Sequence, residues 1–161
     1  LKLALLIFFQ VCFLVLSSPA FSQKEKAVHW LDFEQLEDSL KTNPKKVFID
    51  FYANWCAPCL RMQKEVFTDP EIVRKLNKDY YAVKMNVESI DTIYFGNQKF
   101  INERANRRNP VHQIPLLMGS QKNKPFSLPV LVFMDQTFKA TARYFQYLNK
   151  EQLMKILKNK T

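Results

Sequence analysis

The stretch KVFIDFYANWCAPCLRM, Lys46 to Met62, decides the fold. Its first part, KVFIDFY, is a continuous apolar run rich in aromatic and β-branched residues, the pattern of a strand buried on both faces. The following APCLRMQKEVF carries apolar residues at helical spacing, Leu60, Met62, Val66 and Phe67. Cys56 therefore stands where a strand feeds a helix. Unpaired N–H groups and the helix dipole at such a junction favour a thiolate. That makes Cys56 the attacking sulfur, with Cys59, one turn in and more buried, as the resolving one. Pro58 costs little near a helix start, where its missing N–H would have no partner anyway.

Two cysteines so spaced can be a staple, a metal clip or a redox couple. As a staple the pair would contribute little, because the loop it closes is too short to restrict the unfolded chain. Structural zinc needs four ligands. Past the N-terminal segment, Cys56 and Cys59 are joined only by His29 and His112, neither paired at ligand spacing, so no metal is expected. The redox couple is the strongest reading.

The remaining composition sets the frame. With 161 residues, 47% apolar and 14% aromatic, the chain can build one packed domain and is too short for two. Only two glycines occur, Gly96 and Gly119, which argues against Gly-rich phosphate loops and a dinucleotide site. The net charge of +9 comes without a nucleic-acid motif, and the basic residues are scattered. They read as a solvated surface with some attraction for an acidic redox partner, and nucleic acid is not expected. At the N-terminus, Lys2 precedes the apolar run LALLIFFQVCFLVL and then SSPAFSQKEK. A basic start, a short apolar stretch and small residues, with Ala20 and Ser22 before Gln23, are the parts of a cleaved secretory signal over 1–22. The mature domain would then be 23–161. An uncleaved anchor facing the periplasm is the rival, disfavoured because a spanning helix wants roughly 20 apolar residues.

The segment DFYANWCAPC resembles the active site of the thioredoxin superfamily. Its continuation EVFTDPEIVRKLNKDYYAVKMNVES is especially similar to exported thioredoxin-like proteins and to the C-terminal domain of the periplasmic transmembrane disulfide reductase. The likeness covers roughly 47–88 and again 127–157. It implies a thioredoxin fold, an α/β domain with a central mixed sheet flanked by helices, and an insertion before the strand that follows the cis-proline. It also implies roles for particular residues. Asp50, six residues before Cys56, matches a buried acid that would take the proton of Cys59. Lys84 matches the lysine that pairs with that acid. Pro129 in SLPVLVF matches the cis-proline facing the cysteines, with Leu128 offering its backbone and side chain to substrate. Trp55, Ala57 and Pro58 fall on the same substrate-binding surface.

Elsewhere the chain reads as a helix capped by Asp32 and stopped before Pro44, and a second helix opening at Thr68 or Asp69 with Pro70 in its first turn. YYAVKMNV reads as a buried strand, VLVFMDQTFKATARYF as a hairpin turning at 135–137, and NKEQLMKILKNK as a closing helix capped by Asn149 and Gln152. The segment 89–127 is too long for one helix and a short loop. Phe100, Ile101, Arg104, Arg107 and Arg108 predict a basic helix there, then a loop holding Pro110, Pro115 and Pro125. Surface decoration is the plainer expectation for it, and shaping of a substrate groove the sharper one. Gln146, where thioredoxins carry glycine, would narrow the partner range.

These readings converge on an exported thiol–disulfide oxidoreductase that reduces protein disulfides. Its electrons would come from a membrane thiol donor, its cofactor would be nothing beyond the Cys56–Cys59 couple, and a monomer is expected. An oxidase or isomerase, or a non-enzymatic binding module on the same fold, would share most of these residues.

Overall fold

The structure is a computed structural model describing residues 26–159. The leader expected over 1–22 lies outside the described residues, and no helix within them is long and apolar enough to cross a membrane.

Among the described residues, seven strands and five helices follow one another as β1 (Trp30–Leu31), α1 (Phe33–Thr42), β2 (Lys46–Tyr52), α2 (Ala57–Glu65), α3 (Pro70–Asp79), β3 (Tyr80–Asn86), β4 (Ile93–Phe95), β5 (Gln98–Phe100), α4 (Gln113–Gly119), β6 (Val130–Met134), β7 (Ala140–Tyr144) and α5 (Lys150–Asn159). Five strands form one mixed sheet in the order β1-β3-β2-β6-β7. β3 runs parallel to β1 and β2, whereas β6 is antiparallel to β2 and β7. This is the expected thioredoxin architecture. β1 pairs only through Trp30 and Leu31.

β2 is central, and its five residues from Val47 to Phe51 are all buried. Because successive side chains of a strand point to opposite faces, it feeds two cores. Phe48, with Ala82, Leu131 and Phe133, packs against Met62 of α2, Ile72, Val73 and Leu76 of α3, and Leu153 and Leu157 of α5. Val47, Ile49 and Phe51 face the other way, with Phe33 and Leu36 of α1 and Ile114 of α4. Each such fully buried aromatic or aliphatic side chain contributes about 1.5–3 kcal/mol.

Three helix starts are set by residues the sequence points to. Asp32 and Gln35 form a reciprocal capping box, Asp69 accepts the N–H groups of Glu71 and Ile72, and Asn149 and Gln152 form a second box. The β6–β7 hairpin turns on Asp135, whose Oδ1 accepts from the backbone N–H of Thr137 and of Lys139. Phe138 closes it at φ 61°, a conformation costly for a bulky residue, and its ring lies 5.0 Å from that of Phe95.

The basic helix expected around residues 100–108 does not form. Gly96 and Asn97, at φ 60° and 58°, reverse the chain between β4 and β5. Two successive positive φ angles are what a tight hairpin turn requires. Phe100 ends β5, and residues 103–109 are turns and bends. Nor is the following stretch all loop, since it contains α4. Pro115 is accommodated there in the first turn, where its lacking N–H leaves no bond unmade.

Candidate active site

Cys56 is the N-cap of α2, directly beyond the end of β2. Its Sγ accepts the N–H of Cys59 at 3.3 Å, so the helix N-terminus points at the first sulfur as the sequence predicted. The two cysteines are joined as a disulfide, with Cα atoms 5.3 Å apart. Cys59 is 1% exposed and Cys56 3%, so in this closed form the first cysteine, expected to attack, is almost as covered as its partner. Trp55, Ala57 and Pro58 around them are exposed. The indole Nε1–H of Trp55 donates to Glu88 Oε1 at 2.8 Å, which ties the approach to α2 to the end of β3.

Asp50 lies on β2, in register between Lys84 of β3 and Leu131 of β6. It is 1% exposed, and its Oδ2 has no hydrogen-bond partner. Burial pushes its carboxyl up to about 7, against the opposing pull of Lys84. Burial likewise pushes the Lys84 ammonium down, and the charge of Asp50 holds it up. The two make no direct ion pair within 4.0 Å. The ammonium instead lies 4.6 Å from the centre of the Tyr52 ring and 5.9 Å from that of Trp30. Lys84, which the resemblance implies as the acid's partner, is its cross-strand neighbour and acts on it through space rather than by a direct ion pair.

The Leu128–Pro129 peptide bond is cis. Pro129 is buried at the foot of β6, while Leu128 is half-buried and lines a cavity of about 360 Å³ together with Trp55. The structure thus brings the helix-start loop and the proline loop to one place. Gln146 lies exposed in the bend after β7.

The far wall of this cavity was not foreseen residue by residue. It is built by Arg104, Asn109, Val111 and Leu116 from the 89–127 segment, with Phe126 and Glu88 completing it. Two buried polar side chains fasten the segment down. Asn102 donates through Nδ2 to the carbonyls of Ser89 and Pro110, at 3.0 and 3.2 Å. His112 is fully buried. Its Nδ1 accepts the Ile114 N–H at 3.2 Å, which leaves Nε2 to donate to the Asp91 carbonyl at 3.1 Å. Burial pushes this imidazole below its usual range. His29, by contrast, is exposed.

The strand, the helix-start cysteines, the buried acid and the facing cis-proline define a class. Residues 33–161 match the thioredoxin-like domain family, and the chain belongs to it. Among curated relatives, the thiol:disulfide interchange protein DsbD of Campylobacter jejuni is 36% identical over 56 residues, 35% of this chain and 10% of that protein. Thioredoxin of Mycoplasmoides gallisepticum is 40% identical over 65 residues, 40% of this chain and 60% of that one. The chain therefore spans only a small part of DsbD and less than two thirds of the thioredoxin. A thioredoxin structure from Thermus thermophilus superposes with a TM-score of 0.58 at 14% identity, covering 83% of this chain and 86% of the other, a likeness of fold.

Proposed function

We propose that this protein is a thiol–disulfide oxidoreductase that works outside the cytoplasm and passes electrons to disulfides of protein partners. The observation that carries the reading is the Cys56–Cys59 couple at a helix N-terminus, directly beyond the strand that holds the buried Asp50 with its unbonded Oδ2. The matches to DsbD and thioredoxin support the same chemistry.

The cycle starts from the dithiol form. The Cys56 thiolate attacks one sulfur of the partner disulfide, forming a mixed disulfide and releasing one partner thiolate, which takes up a proton. Cys59 then yields its proton to the Asp50 carboxylate and attacks Cys56 Sγ. The second partner thiolate leaves and is protonated, so two electrons and two protons reach the partner and the protein is left as its disulfide. A carboxyl titrating near 7 suits this duty, because it accepts and returns a proton at neutral pH. A membrane dithiol donor would recharge the couple. The apolar N-terminal run and the likeness to DsbD favour an exported location.

The direction is tested by the reduction potential of the couple, equilibrated against glutathione or dithiothreitol. A value near or below about −270 mV, that of thioredoxin, is expected. A value nearer about −120 mV, that of the strong periplasmic oxidant, would make the protein a disulfide donor instead.

A further inference from the structure

The cavity beside Trp55 has a mixed lining. Val87, Val111, Leu116, Phe126 and Leu128 make it largely apolar. Two charged side chains reach it, Glu88 and Arg104, and Glu88 already accepts the Trp55 indole N–H through one oxygen. Arg104 is exposed, and among the described residues it forms no ion pair within 4.0 Å. Its position is nonetheless fixed at the backbone, where its N–H donates to Oδ1 of the buried Asn102 at 3.1 Å. The surrounding segment 88–127 holds six Lys and Arg residues against three Asp and Glu.

We propose that this cavity is a subsite that reads the sequence next to the partner's disulfide. It receives an apolar side chain against Val111, Leu116 and Phe126, and an aspartate or glutamate beside it on the guanidinium of Arg104. This rests on the thiol–disulfide reading above. The cavity is large enough for a side chain or two and too small for a folded element. The planar fork of arginine matches a carboxylate in two parallel hydrogen bonds, while a lysine in the same place meets like charge. The segment is therefore a specificity device held rigid by Asn102 and His112.

The test uses two synthetic disulfide peptides that differ only in carrying Leu-Glu or Leu-Lys next to one cysteine. Single-turnover reduction by the dithiol form is measured at low salt. The glutamate peptide should react about fivefold faster, the size a partly exposed charge pair supports. Arg104→Glu should invert the ratio and Arg104→Lys should keep its direction. Lys155→Glu, an equal charge change on α5 away from the cavity, should leave the ratio in place. Equal rates for both peptides, a preference surviving Arg104→Glu, or an equal loss in Lys155→Glu overturns the subsite. Reduction of hydroxyethyl disulfide with neither peptide reduced also overturns it while leaving the redox reading standing. Failure on all three disulfides removes that reading, and the subsite with it.

Discussion

Asp50 and His112 are both buried and both ionisable, yet their surroundings treat them in opposite ways. Every polar atom of the His112 ring has a partner, Ile114 N–H on one nitrogen and the Asp91 carbonyl on the other. Asp50 is left with an oxygen that bonds to nothing and a carboxyl pushed up to about 7. A satisfied buried group lowers the energy of the fold and is quiet chemically. An unsatisfied one is a standing cost that persists where a reaction uses it. The difference separates a satisfied histidine from the acid proposed to move a proton, without reference to any relative.

The largest expected effect that could break this contrast is at Asp50. Its carboxyl titrates near 3.8 in the unfolded chain and about 7 in the folded one, so across that window the folded state holds a proton that the unfolded state has released. Stability therefore falls as pH rises through the window, by roughly 4 kcal/mol in all, and is level above it. Asp50→Asn should abolish the slope, which urea unfolding at about pH 5 and about pH 8 reads directly. The same variant should resolve mixed disulfides at least about tenfold more slowly at neutral pH. A slope that persists in the variant would assign the titration to another group.

His112→Ala comes next. It strands the Ile114 N–H and the Asp91 carbonyl and leaves a hole, at a cost of about 2–4 kcal/mol. Its pH dependence carries the opposite sign to that of Asp50. The ring is depressed below its unfolded value of 6.5, so the stability it contributes is present above that value and lost as pH falls below it. A urea midpoint unmoved by the substitution would show that the ring's two hydrogen bonds contribute nothing.

The smallest effect sharpens the comparison. Among the described residues, Lys84 is the only charge that pulls the Asp50 carboxyl back down. Lys84→Met should move the Asp50 titration upward and slow mixed-disulfide resolution by about two- to threefold at neutral pH, the acid being protonated more of the time. A pH–rate profile that does not shift would disconnect the two residues.

Legibility in the sequence followed the same divide between local rule and long-range assembly. The buried run of β2, the cysteine pair, the caps at Asp32, Asp69 and Asn149 and the cis-proline could be read because each is set by its own neighbours or by a specific motif. The 89–127 segment misled because Phe100, Ile101 and Arg104 happen to fall at helical spacing. A local signal for the truth was present in IYFGNQKF, where Gly-Asn between two short flanking segments is a hairpin turn that takes precedence over periodicity. That Arg104, Asn109 and Leu116 line one cavity with Trp55 had no such signal, since it depends on how Asn102 and His112 fold the segment back.

Gly119 closes α4, and a methyl group there would come within 2.9 Å of Val130 Cγ1 and 3.4 Å of Phe126 Cε2. Helix and strand are therefore in contact at van der Waals limit beside the proline loop. Considered as inheritance, the two positions form one unit. A lineage that enlarges Gly119 must shrink Val130 or shift the wall that carries Leu116, so the shape of the cavity beside Trp55 can drift only along paths where these residues change together.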